Sequence, residues 1–334
     1  MENRFNIQSD EEGKRLDVFL AEKLSITRSK VKEIFDQGFV RIAGKIPKPS
    51  FKVRKGLVIE GVIPEEKPLS LAPQNISLDI LYEDEHILAV NKPNGMVVHP
   101  SFGHSEGTLV NAILGYLQKA GDGQSLLGGT SWEMGDRNPS ELAPLGVRPG
   151  IVHRLDKGTT GVILVAKDPR SQEMLSGFFK KRIVQKTYRV IVEGIVRNNE
   201  GVITGSIGRH PIQRKKMAVL KRGGRESETA YKILQKLDGF TYIEAYPKTG
   251  RTHQIRVHLA HIGHPVVGDE AYGGKAKHIT DRPLLHAYTV SFPHPVRGLP
   301  IVIKAPVPED MTHFIAEHEV VKSETGGKSG DSKK

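Results

Sequence analysis

The segment RPGIVHRLDKGTTGVILVAK sets one acidic side chain, Asp156, between a turn-forming Pro-Gly and a Gly-Thr-Thr-Gly turn, with a strongly apolar run beyond. A carboxylate on a loop beside a sheet is held near the core yet open to substrate, and His153, Arg154 and Lys157 are neighbours that would keep it ionised. An Asp that merely caps a turn has the same local appearance. A second concentration of reactive types lies further on, where His253, His258, His261 and His264 crowd a helix and its end. Their spacing does not reproduce a His-Glu-x-x-His pair and no carboxylate joins them before Asp269, so neither a metal site nor a metal-dependent nuclease is expected. The chain has no cysteine, which removes disulfides, thiolate nucleophiles and cysteine-ligated metals. The run GRHPIQRKKMAVLKRGGR (208–225) carries seven basic residues and no acidic one, and reads as a loop that grips a polyanion through Arg214, Lys215 and Lys216.

Polyanion binding also fits the composition. Lys and Arg total 49 against 38 Asp and Glu, a net charge of +11, and such an excess favours nucleic acid through counterion release. Much of it is concentrated, since residues 14–55 hold 12 basic and 4 acidic side chains. No apolar run approaches the ~20 residues needed to span a bilayer, and the opening MENRFNIQSDEEGKR reads as neither secretory signal nor transit peptide. A cytoplasmic protein with no membrane contact is expected.

The elements that must position these residues follow from periodicity. Leu16, Phe19, Leu20 and Leu24 fall at helical spacing, and SITRSKVKEIFDQG predicts a second helix capped at Ser25 or Thr27 and stopped at Gly38. Short strands follow around turns at Gly44, Pro47 and Gly56, and the Pro-rich PEEKPLSLAPQN separates this module from the rest. Beyond it, helices are expected at 108–119, 171–182 and 251–262, the last carrying both Arg251 and Arg256. Strands are expected in ILYEDEHILAVNKP, VILVAK, KTYRVIVEG, GVITGSI, FTYIEAYPK, LLHAYTVSF and LPIVIKAP. The fold class is therefore α+β, with a small domain at 1–63, a linker at 64–76, a large domain at 77–318 built on a mixed, mostly antiparallel sheet, and a disordered tail at 319–334.

Two resemblances sharpen this reading. The helix, helix, strand order of the first module, with Arg28, Lys30 and Lys32 along its second helix, resembles the S4 RNA-binding domain. HRLDKGTTG resembles the HRLD-x-x-T-[ST]-G signature of the RluA/RluD pseudouridine synthases, and NKPNGMVVHP, KTYRVIVEG, GRTHQIRVHLAHIGHPVVGDEAYGG and LLHAYTVSFPHP follow that family's order over 91–295. The second resemblance implies that Asp156 is the catalytic residue, that Tyr188 stacks on the target base and can serve in proton transfer, and that Arg256 pairs with the catalytic carboxylate. It further implies that Leu285 lines the floor of the uracil pocket, that Arg251 meets substrate, and that His153 and Arg154 contact RNA backbone or brace the loop; Arg154 could instead fill the gap left in the stack.

The implied reaction cuts N1–C1′ of a flipped uridine, turns the uracil and rejoins it through C5, without net redox change and without a cofactor. Asp156 could attack C1′ or remove the 2′ proton. The expected partner is RNA, 23S-type ribosomal RNA or a ribosomal precursor, acted on by a monomer; tRNA is the other substrate such relatives take. A non-catalytic ribosome-assembly factor is the reading from a different class. The stretch between Gln124 and Val147, with the only tryptophan, Trp132, is longer and more polar than the resemblance implies.

Overall fold

The apolar spacing of the first module produces two short helices, α1 (Leu16–Lys23) and α2 (Arg28–Asp36), in a computed structural model of the protein that describes residues 3–63, 72–100, 106–119, 150–213 and 216–320. Leu16, Phe19, Leu20, Val31, Ile34 and Phe35 are buried together beneath a sheet of β1 (Asn3–Gln8), β2 (Val40–Arg41) and β3 (Val58–Ile63), ordered β1-β3-β2 and wholly antiparallel. Thr27 Oγ1 accepts from the Lys30 amide at 3.3 Å, so Thr27 supplies the cap, while Ser25 sits in the left-handed region at φ 54°. The strand β1 was not expected: its charged flanks obscure an alternation in which Phe5 and Ile7 turn to the core.

The chain divides into two units, Met1–Lys67 and Pro68–Lys334. In the second, β4 (Ile80–Glu83), β5 (Ile87–Lys92), β6 (Thr160–Ala166), β7 (Gln185–Glu193), β8 (Glu200–Arg209), β9 (Met217–Leu220), β10 (Arg225–Lys236), β11 (Phe240–Pro247), β12 (Leu285–Pro293) and β13 (Pro300–Lys304) form one ten-stranded sheet. Its order is β4-β5-β6-β12-β7-β11-β10-β8-β9, with β13 on β12, and β6–β12 is its parallel pair. The fold is thus α+β with a mixed, mostly antiparallel sheet.

Strands β5 and β6 read as nearly unbroken apolar runs because both faces are covered. Leu88, Val90, Ile163 and Val165 pack beneath α3 (Leu109–Lys119), and Ile87, Ala89, Val162 and Leu164 pack with Leu175 of α4 (Pro169–Lys180) on the other side. The helix α4 starts two residues earlier than expected, with Asp168 Oδ1 accepting from the Ser171 amide at 2.8 Å and Pro169 filling its first turn. On β7, Val190 and Val192 face Ile255 and Leu259 of α5 (Gln254–His261), whereas Ile191 faces Met311 and Phe314 of α6 (Glu309–Glu317).

Besides β1, three elements escaped the sequence reading, of which β9 lies in the run read as a basic loop. The helix α6 was absorbed into the end of the domain. Strand β10 hides because its inward positions are polar: Ser227 and Thr229 are buried, with their hydroxyls 2.8 and 3.0 Å from the His258 ring nitrogens. Residues 64–71 of the expected linker, the 124–147 stretch, Arg214, Lys215 and 321–334 of the expected tail lie outside the described residues.

Candidate active site

The HRLD segment leads into β6 and bends where it must pass the neighbouring strand. Gly161 has φ +106°, and a Cβ there would lie 2.2 Å from the Ala287 carbonyl oxygen of β12, so only glycine lets β6 and β12 meet in parallel beside the loop. The Asp156 turn closes through the Thr159 amide on the Asp156 carbonyl at 3.0 Å. It is then pinned from outside. The Lys157 carbonyl accepts from the Gly95 amide and from Lys92 Nζ, each at 3.1 Å, and the same ammonium donates to the Pro93 and Met96 carbonyls at 2.9 Å. All three protons of a fully buried lysine are used, two to hold its own segment and one to tie that segment to the turn, and burial pulls its pKa down to about 8.

The cation beside Asp156 is not among its sequence neighbours. His153 Nε2 accepts from the Leu164 amide at 2.8 Å, its ring stacks on Phe179 at 4.7 Å, and burial pushes its pKa down to about 3, so it braces the loop as a neutral ring. Arg154 and Lys157 are exposed. The partner is Arg256, whose Nη1 donates to Asp156 Oδ2 at 3.1 Å while Nε and Nη2 grip both oxygens of Asp269 at 2.6 and 2.8 Å. Burial works against the guanidinium charge, but the two carboxylates outweigh it and raise the pKa further above its usual value. Asp269 is fully buried and also accepts from the Ala271 and Tyr272 amides. A planar fork shared between two carboxylates fixes Asp156 in direction.

Arg251 is not on the helix with Arg256, as the periodicity had implied. Gln254 Oε1 accepts from the Arg251 amide and the Thr249 hydroxyl, His253 adopts a left-handed φ of 56°, and α5 begins only at Gln254. That turn swings Arg251 to the rim, where its Nε donates to the Glu226 carbonyl at 3.0 Å.

All seven residues singled out for catalysis or substrate binding, His153, Arg154, Asp156, Tyr188, Arg251, Arg256 and Leu285, line one cleft of about 570 Å³, a size suited to a nucleotide. Tyr188 comes from β7 and Leu285 from the start of β12; burial, then the Asp156 charge, pushes the Tyr188 phenol well above its usual pKa. Among the described residues of the lining, Asp156 is the one acid, surrounded by Arg154, Lys180, Arg182, Lys186, Arg225, Lys248 and Arg251 as well as Arg256. No group of three His, Asp or Glu side chains among the described residues is arranged to hold a metal, and His258 is taken up by Ser227 and Thr229.

The RNA pseudouridylate synthase family model matches residues 86–261, which span the Lys92 anchor, the Asp156 turn, Tyr188 and Arg256. The chain belongs to this family. An S4 domain model matches residues 14–59 of the same chain. An uncharacterized RNA pseudouridine synthase of Aquifex aeolicus is 40% identical over 317 residues, covering 91% of this chain and 93% of that protein. A protein of Xylella fastidiosa described as ribosomal large subunit pseudouridine synthase D is 39% identical over 319 residues, covering 91% and 88%. The solved structure of human RNA pseudouridylate synthase domain containing 1 aligns with a TM-score of 0.51 at 24% identity, covering 70% of this chain and 84% of that one, which supports the fold.

This pseudouridylate synthase is therefore an isomerase with an RNA substrate, joined to an S4 domain. In that domain Arg28 donates to Asp17 at 2.7 Å while 62% of its side chain stays exposed, and Lys32 is exposed. Lys216 closes the basic hairpin through main-chain bonds with His210 and Gln213. Among the described residues no helix is long and apolar enough to cross a membrane. Four side chains around Asp156 went unassigned in the sequence: Lys92, Asp269, Tyr272 and His253. All four sit inside recognised blocks, but their contacts cross 65 residues for Lys92 and 13 for Asp269, distances that no local pattern reports.

Proposed function

We propose that this enzyme converts specific uridines of large-subunit ribosomal RNA, in free 23S-type RNA or a ribosomal precursor, to pseudouridine, acting as a monomer in the cytoplasm. The observation that carries the catalytic part is the single carboxylate, Asp156, aimed by the Arg256 fork into a cleft otherwise ringed with cations. The ribosomal part is supported by the names of relatives matched along most of their length, the Xylella fastidiosa protein among them. In this reading Asp156 acts at C1′ or on the 2′ proton, Arg256 aims it, the Tyr188 ring stacks on the flipped uracil and Leu285 floors its pocket. The raised phenol pKa keeps Tyr188 protonated, so it serves by stacking and as a hydrogen-bond donor. Flipping costs a few kcal/mol. Phosphate contacts from Arg154, Arg251 and the other rim cations offset it, together with Arg28, Lys30 and Lys32 of the S4 domain and Arg214, Lys215 and Lys216 of the hairpin. His153 holds the loop rather than touching the base.

The test is incubation of the protein, and of Asp156→Ala, with undermodified ribosomal RNA in EDTA, followed by carbodiimide labelling and primer extension. New stops with the wild type alone support the reading and name the uridine. Activity only on tRNA moves the substrate; binding without modification by either protein on any of these RNAs replaces the enzyme with an assembly factor.

A further inference from the structure

One residue in the cleft holds a conformation its helix does not need. His253 is the N-cap of α5 with φ 56°, a left-handed conformation uncommon outside glycine although His enters it more often than most side chains, and it makes no capping hydrogen bond. Such strain inside a cleft points to a task for the ring. The ring is fixed from one end. The Met217 amide, at the start of β9, donates to Tyr272 Oη at 2.8 Å, and Tyr272 Oη lies 2.8 Å from His253 Nδ1. Assigning the hydroxyl proton to Nδ1, as the amide's hold on the phenol oxygen favours, puts the imidazole proton on Nε2. Nε2 stands 3.8 Å from Asp156 Oδ2, too far for a hydrogen bond, and has no hydrogen-bond partner among the described residues. The N–H is therefore presented to the cleft directly beside the reacting carboxylate.

The ring is neutral while it does so. Burial lowers its pKa below the usual histidine value; Arg256 and Arg154 act in the same direction, and Asp156 and Asp269 oppose them. With Tyr272 these are the charged and titratable groups that face it. A protonated ring would be drawn onto Asp156 and would occupy the carboxylate; a neutral one leaves it free.

We propose that His253 is a further catalytic residue, whose Nε2–H donates a hydrogen bond to uracil O2 as the glycosidic bond opens. Heterolysis of N1–C1′ sends the bonding pair to N1, from where it delocalises onto O2, the base oxygen nearest C1′. A fixed donor aimed at the charge that develops there lowers the barrier without reorganising. No proton is transferred in this step. The charge leaves O2 when C5 supplies the pair that forms the C5–C1′ bond, as C1′ releases the Asp156 oxygen or, by the glycal route, C2′ takes back its proton from Asp156; the proton then lost from C5 is matched by the one gained at N1. The inference rests on the function proposed above.

The experiment measures single-turnover tritium release from RNA carrying [5-³H]uridine, with RNA affinity by fluorescence anisotropy and melting temperature alongside. His253→Gly accepts the left-handed φ and removes the donor: its melting temperature holds or rises, RNA affinity stays within about threefold, and the rate falls about 10²- to 10³-fold. His253→Gln restores an N–H at similar reach and recovers at least part of that loss. Tyr272→Phe leaves Nδ1 without its donor, frees the tautomer and gives an intermediate rate. The wild-type rate falls on the acid side as His253 charges, and that limb is missing in His253→Gln. A His253→Gly rate within threefold of wild type overturns the proposal, as does a Gln variant no faster than Gly. Absence of tritium release from the wild type would instead overturn the function on which it rests.

Discussion

Replacing Arg256 with Gln separates what the guanidinium does for the fold from what it does for the reaction. Asp269 is fully buried and draws two of its hydrogen bonds from Arg256, the others from the Ala271 and Tyr272 amides. Removing the cation leaves a buried carboxylate without a counter-charge, a change that costs about 3–5 kcal/mol. Set against a total stability of about 5–15 kcal/mol, and at about 2–4 °C per kcal/mol for a domain of this size, the transition of the larger unit should fall by about 6–20 °C. Adding Asp269→Asn removes the buried charge and lets two amides pair, so the double variant recovers about 1.5–3 kcal/mol of that loss. Activity does not follow. Asp156 loses its Nη1 donor in both variants, and misplacing a reacting group by about 1 Å costs about 10²-fold. Differential scanning calorimetry, which resolves the two units, and tritium release from [5-³H]uridine RNA read the two effects separately. A single variant that melts within about 2 °C of wild type refutes the argument from the buried ion pair, and a double variant that regains both stability and rate refutes the orienting role.

Three further outcomes follow from buried groups. His258 and His286 are pushed down to about 4 and His153 to about 3 by burial, so the unfolded chain binds protons near pH 6.5 that the folded one excludes; stability present above that pH is lost as it falls toward 4, and a denaturation midpoint flat from pH 7 to 4 would contradict this. Lys92, at about 8, has the same sign in a higher window: raising the pH from about 8 toward the unfolded value of 10.5 stabilises the fold, yet a neutral amine has two protons for three carbonyls, so the rate declines while the melting temperature does not. Lys186, also near 8, touches none of those carbonyls, and Lys186→Met should keep that alkaline limb. Gly161→Ala forces a Cβ to within 2.2 Å of the Ala287 oxygen at φ +106° and should destabilise by about 2–5 kcal/mol, measured by urea denaturation; a loss under about 1 kcal/mol would show that β6 and β12 can part.

The chemistry was legible where it depends on residue type within one segment. The HRLD turn, the K-x-Y strand and the QIRVH helix all announced themselves, and the sheet's alternation was readable wherever its inward face is apolar. It failed at β10 because Ser227 and Thr229 face inward to bind His258, which removes the alternation that a strand would otherwise display. It misplaced Arg251 because helical periodicity runs on through Arg251 and Thr252, whereas the chain turns there on the Gln254 side chain and a strained His253.

The neighbours of Asp156 were misread for a related reason. Proximity in sequence offered His153, Arg154 and Lys157, but these lie in irregular chain before and within the turn, where no period fixes which way a side chain points. His153 lies against Phe179, while the charge that reaches Asp156 comes from 100 residues away. What local sequence does contain is the need for such a partner, since a partly buried carboxylate lining a cleft is stabilised by one. The identity of the partner is set by the sheet order, which brings β6 beside β12, and β12 beside β7, so that α5 packs over β7 and presents Arg256 to the turn. The same geometry explains why Asp269, thirteen residues beyond Arg256 and buried, does as much to aim the Asp156 carboxylate as anything in the signature itself. A guanidinium held on two of its nitrogens cannot rotate, and only then is the third a fixed donor.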